Sequence, residues 1–349
     1  MATIARQSNF ELLRVISMFL ILVIHADYVA LPHVEYGELL YNIVPSITRL
    51  YIYSISVVAV NVFVFISGWF GVNARKKSVL SFVYLIIWWL WGGGILLYLF
   101  GNFSYTLNDL LECLILTEKD WFIKSYFVLM IISPILNSFT RTTEERIQRI
   151  VLSSFLLFEI IFCWMVGGRR FFVDGFGPLH FIGLYLLAQY IHNQIDTSTS
   201  PIIYRKLFSM SKWFDLIIWL VSVCLNTTIA VGCLLYFKKI PSFLFAYSAP
   251  LVIIGSLYLF LFFSKIQLSY NRTINWIGAS SFSVFLLHYA QPIFRDSFFM
   301  PQIQYIYNNY YGLACIGIVF VFLLLIYMFA IALDQLRILS WNRLWKLLE

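Results

Sequence analysis

The chain has 349 residues, of which 61% are hydrophobic and only 12% charged, and its mean hydropathy is +0.83. That balance excludes an ordinary soluble domain. The formal charge of +7 does not point to nucleic acid, because Lys and Arg are scattered over short loops and form no patch.

Apolar stretches of about 17 residues or more recur from end to end, as membrane-spanning helices require. They predict an all-α polytopic fold of about ten transmembrane helices, near 10–30, 50–71, 79–100, 121–140, 150–166, 177–194, 213–233, 241–263, 274–293 and 312–334. Connections are short and no internal repeat is visible, so residues 1–349 are read as a single membrane-embedded domain. Placing the N-terminus inside puts 16 of the 24 Lys and Arg on the inner side, with both termini cytoplasmic. The 19% aromatic content fits belts at the membrane surfaces. The five cysteines show neither disulfide nor metal spacing, and no metal site is expected.

The first span carries Arg14 near its start and His25 well inside it. Eleven residues make about three helical turns, so both side chains share a face, about 16 Å apart along the axis. Arg14 then holds an anion at the cytoplasmic end or simply anchors the topology. An ionisable group inside a membrane helix is costly. His25 is therefore read as a general base or a nucleophile for group transfer, against the plainer alternative of a packing hydrogen bond. Asp27, two residues on, points elsewhere on the helix.

After the second span, Arg75, Lys76 and Lys77 form a cationic cluster on the inner side. Positive-inside signalling accounts for such clusters, and so does docking of a phosphate-rich cofactor. There is no nucleotide-triphosphate loop. The connection NFSYTLNDLLECLILTEKD (102–120) is acidic and long enough for a short amphipathic helix on the outer surface. In the fourth span, Lys124 and Tyr126 lie at the outer interface as belt residues or substrate contacts. Glu159 is the one acidic residue within the fifth span. It pairs with His25 or Arg14, in which case it joins His25 in the catalytic group and orients its ring, or it ties one helix to another. His180 begins the sixth span and His288 lies in the ninth. Both fall in the outer half, where with His25 they would line one acceptor cavity.

These segments resemble the bacterial membrane acyltransferases of acyltransferase family 3. The R-x10-H of the first span, NVFVFISGWF (61–70), WFIKSYFVLMIISPIL (121–136), NRTINWIGASSFSVFLLH (271–288) and LDQLR (333–337) follow the family's pattern over nearly the whole chain. The resemblance implies a multi-pass protein of the bacterial inner membrane. It would move an acyl group, usually acetyl, from cytosolic acyl-coenzyme A to a hydroxyl of an extracytoplasmic or lipid-linked saccharide. By likeness, acetyl-coenzyme A is the donor, Arg14 assists its binding, and His25 is catalytic. The family's basic motif often has two arginines where this chain has Arg75, Lys76 and Lys77, and lysine is a less planar phosphate partner. Some members carry a further soluble domain that completes the transfer. This chain is expected to act alone, as a homo-oligomer or with a separate extracytoplasmic partner. A transporter or flippase for a lipid-linked saccharide is the rival reading. It would also need buried polar residues, but usually shows repeats or broken helices in paired positions.

Overall fold

The structure, a computed structural model, describes residues 7–101, 105–165, 173–195 and 210–349. Arg6, Arg169, Arg170, Arg205 and Lys206, which entered the orientation argument, lie outside them. The described residues are helical, without strands. Among the described residues, seven segments are long and apolar enough to cross a membrane: Ser8–Val29, Ile43–Phe70, Lys76–Leu99, Leu107–Thr142, Lys212–Phe237, Ser242–Ser264 and Gly312–Leu347.

The other three expected segments are also helical, but more polar. Glu145–Glu159 opens on Glu145, Arg146, Gln148 and Arg149. Pro178–Ile195 carries Gln189, His192 and Gln194. Arg272–Phe285 carries Asn275 and buried Ser280, Ser281 and Ser283. Polar groups within such helices need partners inside the protein.

The helices form two compact units. The first comprises Met1–His33, Arg75–Asp120 and Ser269–Glu349. Helix Ser8–Ile24 packs along helix Arg272–Phe285, and both contact the long last helix Gly312–Leu348. Small residues allow the close approach. A side chain at Gly278 would run into the carboxylate of Glu11. Ser8 ties the two helix ends by donating from Oγ to Asn275 Oδ1 (3.2 Å) and accepting from Asn271 N–H (2.8 Å). Helix Lys76–Ile87 is fastened to the last helix by Tyr84 Oη donating to Ser340 Oγ at 2.8 Å. The connection expected to hold an amphipathic helix contains the helix Leu107–Cys113, started by a reciprocal cap between Thr106 and Asp109.

The second unit comprises Val34–Ala74 and Trp121–Leu268. Helices Ala59–Phe70 and Pro178–Ile195 meet at Gly68, where a methyl group would strike the backbone of Tyr185. Helix Trp121–Thr142 contains Pro134, which cannot donate to the carbonyl of Met130. Ser133 Oγ donates to that carbonyl instead, at 2.8 Å. In an apolar setting, no backbone group can be left to water.

Candidate active site

Helix Ser8–Ile24 is regular through Ile24, so the 11-residue interval from Arg14 to His25 is α-helical over almost its whole length. At its base Arg14 is part-exposed, and its Nη1 donates to both oxygens of Glu11 (2.8 and 2.9 Å). The rest of the guanidinium fork remains available for a planar anion. Arg75, Lys76 and Lys77 are exposed at the start of helix Lys76–Ile87 in the same unit, and Lys77 Nζ lies 5.0 Å from the centre of the Trp345 ring.

At the upper end the helix changes character. His25–Val29 is a π-turn, in which the carbonyl of His25 accepts from Ala30 N–H at 3.0 Å. Leu286–Ala290, carrying His288, is a second π-turn in the same unit. Single π-turns within α-helices occur frequently at functional sites. The two turns bring the histidines together, with His25 Nδ1 2.7 Å from His288 Nε2. His288 is fully buried, and its Nδ1 lies 2.5 Å from the carbonyl oxygen of Val284. His25 is only half-buried, and its Nε2 makes no hydrogen bond among the described residues.

Tyr289 stacks on the His25 ring at 4.0 Å between centroids and 16° between planes. Behind it lies Arg295, 5.8 Å from the Tyr289 ring centre and bonded to the Tyr289 carbonyl at 3.1 Å. Arg295 is 2% exposed and meets Glu112 Oε2 at 2.7 Å and both carboxylate oxygens of Asp296 at 2.7 Å. Glu112 is held in turn by Lys119 (2.7 Å) and Asn108 (2.9 Å). A buried arginine paired in this way has one accessible geometry, which braces the Tyr289 stack.

The second unit holds a different histidine. His180 is fully buried, with Nδ1 2.6 Å from Glu159 Oε1 and Nε2 3.0 Å from Asn61 Oδ1. Asn61 Nδ2 donates to the Tyr247 carbonyl at 2.8 Å, so its oxygen is the atom turned to His180. Both ring nitrogens of His180 are therefore taken, and none of its surface is open. Glu159 takes the helix-tying alternative, since its carboxyl is engaged by His180 rather than by His25 or Arg14. Lys124 is exposed, and Tyr126 Oη lies 3.3 Å from Ser67 Oγ within this unit.

Sequence reasoning passed over three residues that the structure makes prominent. Tyr289 and Arg295 follow His288 in HYAQPIFR, where a charge beside an apolar helix is a signal in its own right. Asn61 interrupts an apolar run and needs a partner for the same reason. The π-turns leave no sequence mark that periodicity would detect. Among the described residues, no cluster of His, Cys, Asp and Glu could hold a metal ion.

These features define a multi-pass helical membrane protein whose first helix ends in a histidine pair with one open ring nitrogen. A family model described as an acyltransferase domain, that of acyltransferase family 3, matches residues 7–334. The chain belongs to that family and is a membrane acyltransferase. No curated protein and no solved structure matches it.

Proposed function

We propose that the chain is an O-acyltransferase of the bacterial inner membrane, transferring acetyl from cytosolic acetyl-coenzyme A to a hydroxyl of an extracytoplasmic or lipid-linked saccharide. The supporting observation is the placement of Arg14 and His25 on one regular helix, about 16 Å apart along its axis. A phosphate-bearing donor held at the first would extend its arm toward the second. The donor's phosphates lie against Arg14 and the Arg75, Lys76 and Lys77 cluster, all in the same unit as His25.

In the transfer, His25 takes the proton of the acceptor hydroxyl as its oxygen attacks the thioester carbonyl. A C–O bond forms and the C–S bond breaks. The departing thiolate recovers the proton from His25, giving ester and free coenzyme A with the histidine restored. Positioning of the two reactants by the helix contributes alongside the proton transfer.

The test uses purified protein in lipid nanodiscs with acetyl-coenzyme A and bacterial envelope saccharides. Saccharide-dependent release of free thiol is expected. Movement of lipid-linked saccharide across sealed vesicles without thiol release would favour the flippase reading instead. Orientation is tested in a background with the native cysteines replaced by serine. A cysteine at position 76 should be labelled only by reagents that cross the membrane, and labelling by an impermeant external reagent would reverse the topology.

A further inference from the structure

Two histidines 2.7 Å apart can share a proton in more than one way, but the surroundings of His288 remove the choice. A carbonyl oxygen only accepts, so the contact between His288 Nδ1 and the Val284 carbonyl requires a proton on Nδ1. A neutral imidazole has one N–H, which leaves Nε2 of His288 as an acceptor. An imidazolium at His288 would have no carboxylate on it among the described residues. Its ring lies among aromatic neighbours, with Phe299 at 5.2 Å and Phe285 at 6.3 Å between centroids. A neutral His288 therefore accepts from His25, whose Nδ1 must carry the proton. The lone pair of His25 is then on Nε2, the nitrogen that no described residue occupies.

We propose that His288, anchored on the Val284 carbonyl, is the positioning residue that fixes the tautomer of His25 and makes Nε2 of His25 the atom that exchanges the proton in acyl transfer. The proposal rests on the reading of His25 as the base. The chain of donors runs one way: His288 Nδ1–H to the carbonyl, His25 Nδ1–H to His288 Nε2, and Nε2 of His25 open to the hydroxyl. When His25 gains the hydroxyl proton on Nε2, its Nδ1–H bond to His288 becomes charge-assisted and strengthens. Tyr289, stacked on the His25 face, stops the ring from turning over and exchanging its nitrogens. A carboxylate in the place of His288 would orient the ring equally well. The neutral partner orients it without burying a further charge in this apolar setting.

Two measurements test this. The first needs no variant: nitrogen-15 NMR of histidine-labelled wild-type protein in bilayers, with the His25 signals assigned by their loss in His25→Ala. A protonated Nδ1 and a bare Nε2 are expected, and a protonated Nε2 on neutral His25 overturns the proposal. The second compares His288→Met with His288→Gln. Methionine offers no comparable acceptor, and kcat should fall about 100-fold while KM for the donor stays constant. Glutamine keeps an amide oxygen for His25 Nδ1–H and should restore kcat to within about tenfold of wild type. Wild-type turnover in His288→Met, or a glutamine variant no better than the methionine one, overturns the positioning role. Should either variant fail to fold, the NMR signature alone decides. An active His25→Ala protein would instead remove the reading of His25 as the base, a different failure with a different readout.

Discussion

His288 and His180 are both fully buried, each belongs to a separate unit, and each touches a second polar side chain within 2.7 Å. They nonetheless end in different kinds of structure. His180 spends its two nitrogens on Glu159 and Asn61, and Asn61 donates in turn to the Tyr247 carbonyl. His288 spends one nitrogen on a carbonyl and the other on His25, whose far nitrogen no described residue occupies. A histidine that bonds only to helix-bound groups holds helices together, while one bonded to a second ring with a nitrogen to spare leads to a reagent. Burial of the anchoring histidine does not separate the two networks. The ring nitrogen left over on its partner does.

The comparison is challenged most directly at its open end. His25→Ala should lower acyl transfer by at least about 1,000-fold while donor binding persists, because the lost step is proton transfer and not docking. His25→Gln should fail to a similar extent, since an amide bonds to hydrogen but does not cycle a proton. Transfer near the wild-type rate in purified His25→Ala protein would end the distinction drawn between the two histidines.

At the closed end the same type of change should affect stability instead. His180→Leu leaves Glu159 buried without its partner, a loss of about 3–5 kcal/mol for a broken buried pair. Thermal unfolding in detergent should show a lowered midpoint, with kcat of the surviving folded protein unchanged. The double variant His180→Leu/Glu159→Leu should recover part of the midpoint, because it removes the stranded carboxylate and leaves only Asn61 Oδ1 without its partner. A fully stable but inactive His180→Leu would make this network part of the chemistry.

The contrast also marks what could be seen in the sequence. The helical class, the membrane character and the face shared by Arg14 and His25 were all legible, because hydropathy and the 3.6-residue period are local properties. The partners were not. The sequence grouped His288 with His25 in the outer half, but that Glu159 would take His180, and that His25 and His288 would bond directly, depends on which helices pack together, and single-sequence periodicity carries no such information. The three less apolar helices show the same limit. Their Gln, His and Ser residues reduce the hydropathy of each segment while serving contacts that only the fold reveals. The π-turns at His25 and His288 depend on tertiary packing as well.

Arg14 offers a smaller test at the lower end of the same helix. Arg14→Ala should weaken acetyl-coenzyme A binding about tenfold or more and raise the donor KM, with kcat at saturating donor little changed. Arg14→Lys should recover the charge but not the planar fork, and so only part of the affinity. Isothermal titration against the donor in nanodiscs reads both. Unchanged affinity in Arg14→Ala would reduce the residue to a topology anchor and leave His25 without a partner for the donor.

The smallest effect is expected at Gly278, which supports Arg14 from a neighbouring helix. Glu11 fills the space that a side chain at Gly278 would need, and Glu11 holds Arg14 through Nη1. In Gly278→Ala the new methyl presses on the Glu11 carboxylate and Cβ. A long side chain can yield part of the way, so the cost should be about 1 kcal/mol, at the low end for overpacking. The displacement should reach Arg14 through Glu11 and reduce donor affinity a few-fold, with no change in the chemistry at His25. The variant Gly278→Ala/Glu11→Ala relieves the crowding and frees Arg14 from its intrahelical bond. Its stability should return toward wild type, and its donor affinity should not fall below that of Gly278→Ala alone. A double variant that bound the donor less tightly than the single one would mean that Glu11 orients Arg14 rather than merely accompanying it. The anion site would then have to be described as a pair.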